Sequence, residues 1–131
     1  MDPIEQEIQA KGLTAPRITP ADIEANIARE YFFTAQEGIY GKAAFESDSE
    51  TPVGEVDYVT DHEASRLTFC VLVLRNGFTV TGESAPILIE NFDAELGRKI
   101  ARQNAVSKVW PLMGYELRSQ LAARVDIGGP Q

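Results

Sequence analysis

Only one cysteine, Cys70, occurs in the 131 residues, so no intramolecular disulfide is available and the fold must rest on its core. One histidine, His62, is too few for a histidine-based metal centre. No apolar run approaches the roughly 18 residues that cross a bilayer. The opening Met1-Asp2-Pro3-Ile4-Glu5 lacks the basic region and apolar core of a secretory signal, so a cytosolic protein is expected. The catalytic signatures are missing too. Gly82-Glu83-Ser84 is no nucleophile elbow, which needs Gly-x-Ser-x-Gly. There is no glycine-rich loop ending in Lys-Ser or Lys-Thr and no dinucleotide fingerprint, which argues against an ATPase or a dehydrogenase.

What is present is an ordinary globular composition, 44% hydrophobic and 24% charged, long enough for one domain spanning residues 1–131. The net charge is −8 and unevenly spread. Residues 1–90 hold 6 basic and 16 acidic residues, whereas residues 91–131 hold 6 basic and 4 acidic ones. Such a chain repels nucleic-acid backbones and anionic membranes at long range, so neither is an expected partner. The basic C-terminal part leaves room for a small anion.

Residues 1–18 read as an N-terminal arm. Asp2 caps, Pro3 suits a first helical turn, Ile4 and Ile8 share a face, and Gly12 supplies a stop. Thr19-Pro20-Ala21-Asp22 opens a second helix, and the four-residue spacing of Ile23, Ile27 and Tyr31 carries it through residue 31. Residues 36–66 read as an irregular insertion punctuated by Gly38, Gly41, Pro52 and Gly54, with one short strand allowed by Val53, Val56, Tyr58 and Val59. Leu67–Leu74 is a nearly continuous apolar strand of the kind buried on both faces. Asn76-Gly77 predicts a two-residue hairpin turn with both residues at positive φ, and Phe78–Thr81 alternates as a half-exposed strand. That turn pairs Val73 with Val80 and puts Phe69, Val71, Val73, Phe78 and Val80 on one face. Pro86–Ile89 reads as a short strand or a covering loop.

Asn91 is the expected cap of the main helix, residues 92–109, in which Gly97, Ala101 and Ala105 form a stripe suited to close packing on the hairpin. Trp110-Pro111 predicts a break before a last short helix at 112–123, and residues 125–131 a loose tail. The fold class expected is α+β: a small antiparallel sheet built on the hairpin, with a long helix across it and short helices flanking. So small a sheet buries little, and a homo-oligomer would help it.

The candidate chemistry is modest. His62 lies between Asp61 and Glu63 in a polar stretch. Asp48, Glu50 and Asp57 match no calcium-loop pattern. Cys70, within the most apolar strand, reads as a small buried hydrophobe, and pairing it with His62 as nucleophile and base is the opposing reading. The remaining constellation is cationic and aromatic: Arg75, Arg98, Arg102, Lys108, Trp110 and Tyr115. Arginine takes phosphate bidentately and an aromatic ring stacks on a base, so these six residues are the candidate ligand-binding set. The opposing reading is a solvated helix face with Trp110 and Tyr115 as core plugs, in which acids relieve the Arg98–Arg102 pair: Glu95, three residues before Arg98, or Glu83 or Glu90 from the sheet. No catalytic residue, metal or cofactor is expected.

The Leu-Arg-Asn-Gly-Phe-Thr-Val-Thr-Gly-Glu-Ser stretch within Leu67–Ser84, together with Asn91-Phe92-Asp93, Gly97-Arg98-Lys99-Ile100-Ala101, Trp110-Pro111-Leu112 and Gly114-Tyr115, resembles the gene-product-49/gene-66 family of small tailed-phage proteins of unknown function. The helix start at Thr19–Glu30 matches as well. The resemblance implies synthesis inside a bacterial cytoplasm, a setting in which small non-structural phage proteins often counter host defence; with no catalytic motif, a non-enzymatic binding protein is expected. Two functions then stand side by side. One is sequestration of a small anionic, nucleotide-type immune signal. The other is an acidic protein-binding inhibitor of a host factor, with nucleic-acid mimicry as one route.

Overall fold

The computed structural model describes residues 2–13, 15–47 and 60–128. Helix α1, Pro3–Ala10, is capped by Asp2, whose Oδ1 accepts the Ile4 amide at 3.0 Å. Gly12, at φ +66°, ends the segment in the left-handed conformation that glycine adopts without strain. Helix α2, Pro20–Asn26, opens on a reciprocal capping box. The Asp22 amide donates to the Thr19 hydroxyl, and the Thr19 amide donates to the Asp22 carboxylate.

Helix α2 stops at Asn26, five residues short of the expectation, because Ile27–Thr34 is strand β1. The four-residue spacing of Ile23, Ile27 and Tyr31 suggests a helix, but Ile-Ala-Arg-Glu-Tyr-Phe-Phe-Thr is rich in strand formers and a sheet edge is open to receive it. The expected irregular stretch is also corrected. Ala35–Glu46 forms α3, opened by a second capping box between Thr34 and Glu37, and His62–Ser65 forms the single turn α4. The strand suggested around Val53–Val59 lies outside the described residues.

Strands β2, Thr68–Leu74, and β3, Thr79–Ser84, form the expected hairpin, and β1 joins β2 on its other side, giving an antiparallel sheet of order β1-β2-β3. The register differs from expectation by one residue. Val80 pairs with Leu72 rather than with Val73. Only Gly77 has positive φ, at +90°, and Asn76 does not. The Gly77 amide donates to the Leu74 carbonyl at 2.9 Å and the Leu74 amide to the Phe78 carbonyl at 2.8 Å. The loop is therefore Arg75-Asn76-Gly77, with the glycine as the bulge residue, and its third member shifts every pair by one. A shift of one exchanges the faces of a strand. The buried face of β2 is Thr68, Cys70, Leu72 and Leu74; Phe69, Val71 and Val73 point the other way and are half-buried.

Helix α5, Ala94–Gly128, lies across the buried face. Its cap is Asp93, which accepts the Leu96 amide at 2.9 Å, and Asn91 belongs to a preceding 3-10 turn, Ile89–Asn91. The small stripe works as the sequence indicates, since Ala101 and Ala105 are fully buried, as is Val109. A methyl group at Gly82 would collide with the Ala101 carbonyl oxygen and the Ala105 amide nitrogen, so the helix backbone rests on the strand backbone there. These residues, with Ile23, Cys70, Leu72, Leu74 and Val80, make the core.

The expected break at Trp110-Pro111 does not occur, and the expected tail at 125–131 is helical through Gly128. Pro111 removes one amide donor, at a cost of about 3 kcal/mol in a helix interior. Packing on both sides outweighs it: Ala105 and Val109 are buried before it, and Met113 packs against the core after it. A helix of 35 residues is about 52 Å long, about twice the length of an eight-residue strand. Its C-terminal half therefore runs past the sheet.

The other face of the sheet carries three cross-strand rows. Arg29, Val73 and Thr79 form one, Tyr31, Val71 and Thr81 the second, and Phe33, Phe69 and Glu83 the third. The Phe33 and Phe69 rings pack at 5.7 Å between centroids.

Candidate functional site

The six cationic and aromatic candidates do not converge. Arg102 is bound within the molecule. Its Nη2 and Nη1 donate to the two carboxylate oxygens of Glu24 at 2.7 and 3.1 Å, and its Nε donates to Glu30 at 2.8 Å. Both acids face it from α2 and β1, and neither is among the partners expected, Glu95, Glu83 and Glu90. The two acids hold the guanidinium pKa above its ordinary value, chiefly through the hydrogen bonds to Glu24 and then Glu30. Arg102 is a structural clamp between α5, α2 and β1.

Lys108 and Asn104 lie on another side of α5. The Lys108 ammonium donates to the Thr81 carbonyl at 2.5 Å, and the Asn104 amide to the Glu83 carbonyl at 2.8 Å. Strand β3 is an edge of the sheet, and these two side chains occupy acceptors that an added strand would need. Arg75 joins the hairpin tip to the α2–β1 junction: its Nε donates to the Ala25 carbonyl at 2.6 Å and its backbone amide to the Asn26 carbonyl at 3.0 Å. Tyr115 is exposed on the overhanging part of α5, and Trp110 is 37% exposed, so neither plugs the core.

Arg98 differs from these. It is exposed, has no hydrogen bond or ion pair among the described residues, and lines a cleft of about 150 Å³ with Phe32, Phe33, Phe92 and Glu37. Pockets that enclose drug-sized ligands measure about 300–1,000 Å³. A larger groove of about 560 Å³ runs between the hairpin tip and the second half of α5, lined by Arg17, Arg75, Asn76, Met113 and Glu116. Its facing acids, Asp22 and Glu116, offset its two arginines.

Cys70 is fully buried beneath α5, and burial pushes its thiol pKa up, with the nearby Glu30 carboxylate adding to the rise. His62 is exposed at the start of α4. Among the described residues no group of His, Cys, Asp and Glu side chains is arranged to hold a metal ion. Asp48, Glu50 and Asp57 lie outside them. Nor is any described helix long and apolar enough to cross a membrane.

The most unusual surface was not among the candidates. Pro86–Ile89 is neither a strand nor a cover. Ile87 is 91% exposed, Leu88 58% and Ile89 47%. This loop leads into the outward face of α5, where Leu96 and Ile100 are exposed at 52% and 38%. A cleft of about 200 Å³ is lined by Pro86, at the start of the loop, and by Phe92, Leu96 and Ile100, and a neighbouring groove by Leu96, Ile100 and Val106. The spacing of Phe92, Leu96 and Ile100 shows one apolar stripe and Gly97, Ala101 and Ala105 a second. A helix on a three-stranded sheet buries one stripe, and here the close approach of Gly82 selects the small one. The larger residues are left to solvent.

Residues 18–121 match the phage protein (N4 Gp49/phage Sf6 gene 66) family. The chain belongs to that family. The match takes in the sheet, α2, α3 and most of α5, and leaves α1 outside it. No match was found among curated proteins or among solved structures.

Proposed function

We propose that this phage protein acts by binding a host protein, as a counter-defence factor that blocks its target by occupying a surface. The observation that carries the reading is the exposed apolar ridge of Ile87, Leu88, Ile89, Leu96 and Ile100. Exposed apolar surface rimmed by polar groups marks interaction sites. The rim here includes Arg66, Asp93 and Lys99. The net charge of −8 favours a partner whose socket is edged with basic residues and speeds the encounter with it. Occupying a surface needs no nucleophile, metal or cofactor.

The test is affinity capture from infected cells with the intact protein and with a Leu96→Glu/Ile100→Glu variant. Phe45→Glu serves as control, because Phe45 is 90% exposed elsewhere, on α3. The reading expects one host protein recovered by the intact chain and the control and lost by the double variant. Equal recovery by all three would remove it.

Sequestration of a nucleotide-type signal is the second reading, and one observation favours it: Arg98, without a partner among the described residues, stands beside Phe32, Phe33 and Phe92. On that reading a nucleotide panel raises the melting temperature of the intact chain and not of Arg98→Ala, since ligand bound only to the folded state must stabilise it.

A further inference from the structure

We propose that the sheet face opposite α5, which among the described elements only α3 approaches, near Phe33, is a self-complementary surface on which two copies of this chain pair through a two-fold axis. The three rows of that face form a small grid, with an apolar centre and charge at two corners. Arg29 stands at one corner and Glu83 at the corner diagonally opposite. Both side chains are exposed, and neither the guanidinium nor the Glu83 carboxylate has a partner among the described residues. Tyr31, 52% exposed, and Phe33, 38% exposed, lie beside half-buried Phe69 and Val71.

A two-fold axis in the plane of the face, crossing the diagonal between the charges, places the Arg29 of each copy against the Glu83 of the other. The same rotation lays Tyr31 over the second copy's Phe69 and Val71 over its own counterpart. The two charged corners and the apolar centre then meet complements. Isologous pairing requires this property of a surface, and a foreign partner does not. The strands of the two copies cross steeply, as in orthogonal sheet packing. The side chains that guard the β3 edge, Lys108 and Asn104, disfavour pairing through that edge. The grid spans about 14 Å across three strands and about 17 Å along them. That is a small interface of the weak, transient class, so the dimer forms only at high chain concentration.

Sedimentation equilibrium of the full chain over a concentration series tests this, with melting curves confirming that each variant folds. The expected result is a reversible monomer–dimer equilibrium. Arg29→Glu and Glu83→Arg each weaken it by about tenfold or more, since each sets like charges opposite one another. The double swap recovers most of the loss, and Val71→Lys abolishes the dimer. A chain that stays monomeric into hundreds of micromolar would overturn the proposal. So would a dimer indifferent to Val71→Lys, or a double swap no better than the single ones.

Discussion

Arg102 links three elements, α5, α2 and β1. Its guanidinium takes Glu24 bidentately and Glu30 through Nε, and its side chain is 30% exposed. Exposed ion pairs stabilise little, but one arginine holding two acids from separate elements fixes their relative placement. Arg102→Ala should cost about 1 kcal/mol, discounted for solvent screening, and Arg102→Lys should recover only part because lysine lacks the planar fork. Urea denaturation measures both, and high salt should narrow the differences between them. Gly82 makes a stronger demand. Its missing side chain lets α5 touch β3, and Gly82→Ala forces the two backbones apart, at about 3 kcal/mol or more by analogy with overpacked cores. A melting temperature unchanged by Gly82→Ala would contradict the close approach. The small stripe on α5 was legible in the sequence because Gly97, Ala101 and Ala105 repeat at four. The partners of Arg102 were not, because Glu24 and Glu30 lie more than 70 residues away and only β1, read as helix, brings Glu30 to it.

Elements separate in a similar way according to where their determinants lie. Capping boxes are local, and Thr19-Pro20-Ala21-Asp22 marked the start of α2 correctly. The end of α2 is not local, since β1 is a strand by virtue of the edge that β2 offers. The hairpin was visible in Asn76-Gly77, yet its faces turned on whether the loop held two residues or three, and one positive φ in place of two reversed them. Helix α1 depends on a tertiary contact. Glu5 is buried and takes the Nη1 and Nη2 donors of Arg17 at 2.8 Å each, which holds its carboxyl below the ordinary value of 4.5. A depressed carboxyl pKa stabilises the docked arm above the ordinary value, and the gain is lost as pH falls through the lowered value. The protection of the residue 3–10 amides, measured against their intrinsic exchange rate at each pH, should therefore fall in the acid range below pH 4.5 before that of the core does. Glu5→Gln should show the faster exchange already at neutral pH. Unchanged exchange in that variant would mean that something other than the Arg17 pair holds the arm.

At the scale of the molecule, a three-stranded sheet with one long helix has two faces and a helix back to dispose of. The buried side uses small residues and a close backbone contact, so large apolar side chains are displaced to the back of α5, to the loop at 86–91 and to the open sheet face. The α+β class followed from the hairpin and the helical repeats. The bracing contacts of three cations did not, because their partners come from other elements: Arg102 between elements, Lys108 on the sheet edge, Arg75 at the hairpin tip. The exposed ridge was hidden because apolar residues in a sequence are read as core until the packing partner is known. The central claim is that the ridge, and not the cationic set, is the working surface. Its most direct test is amide exchange of the chain with and without the captured host protein. The account expects slowed exchange across residues 86–100 with the hairpin tip unchanged. Protection centred on Arg75 and Asn76, with the 86–100 segment exchanging as in the free chain, would contradict it.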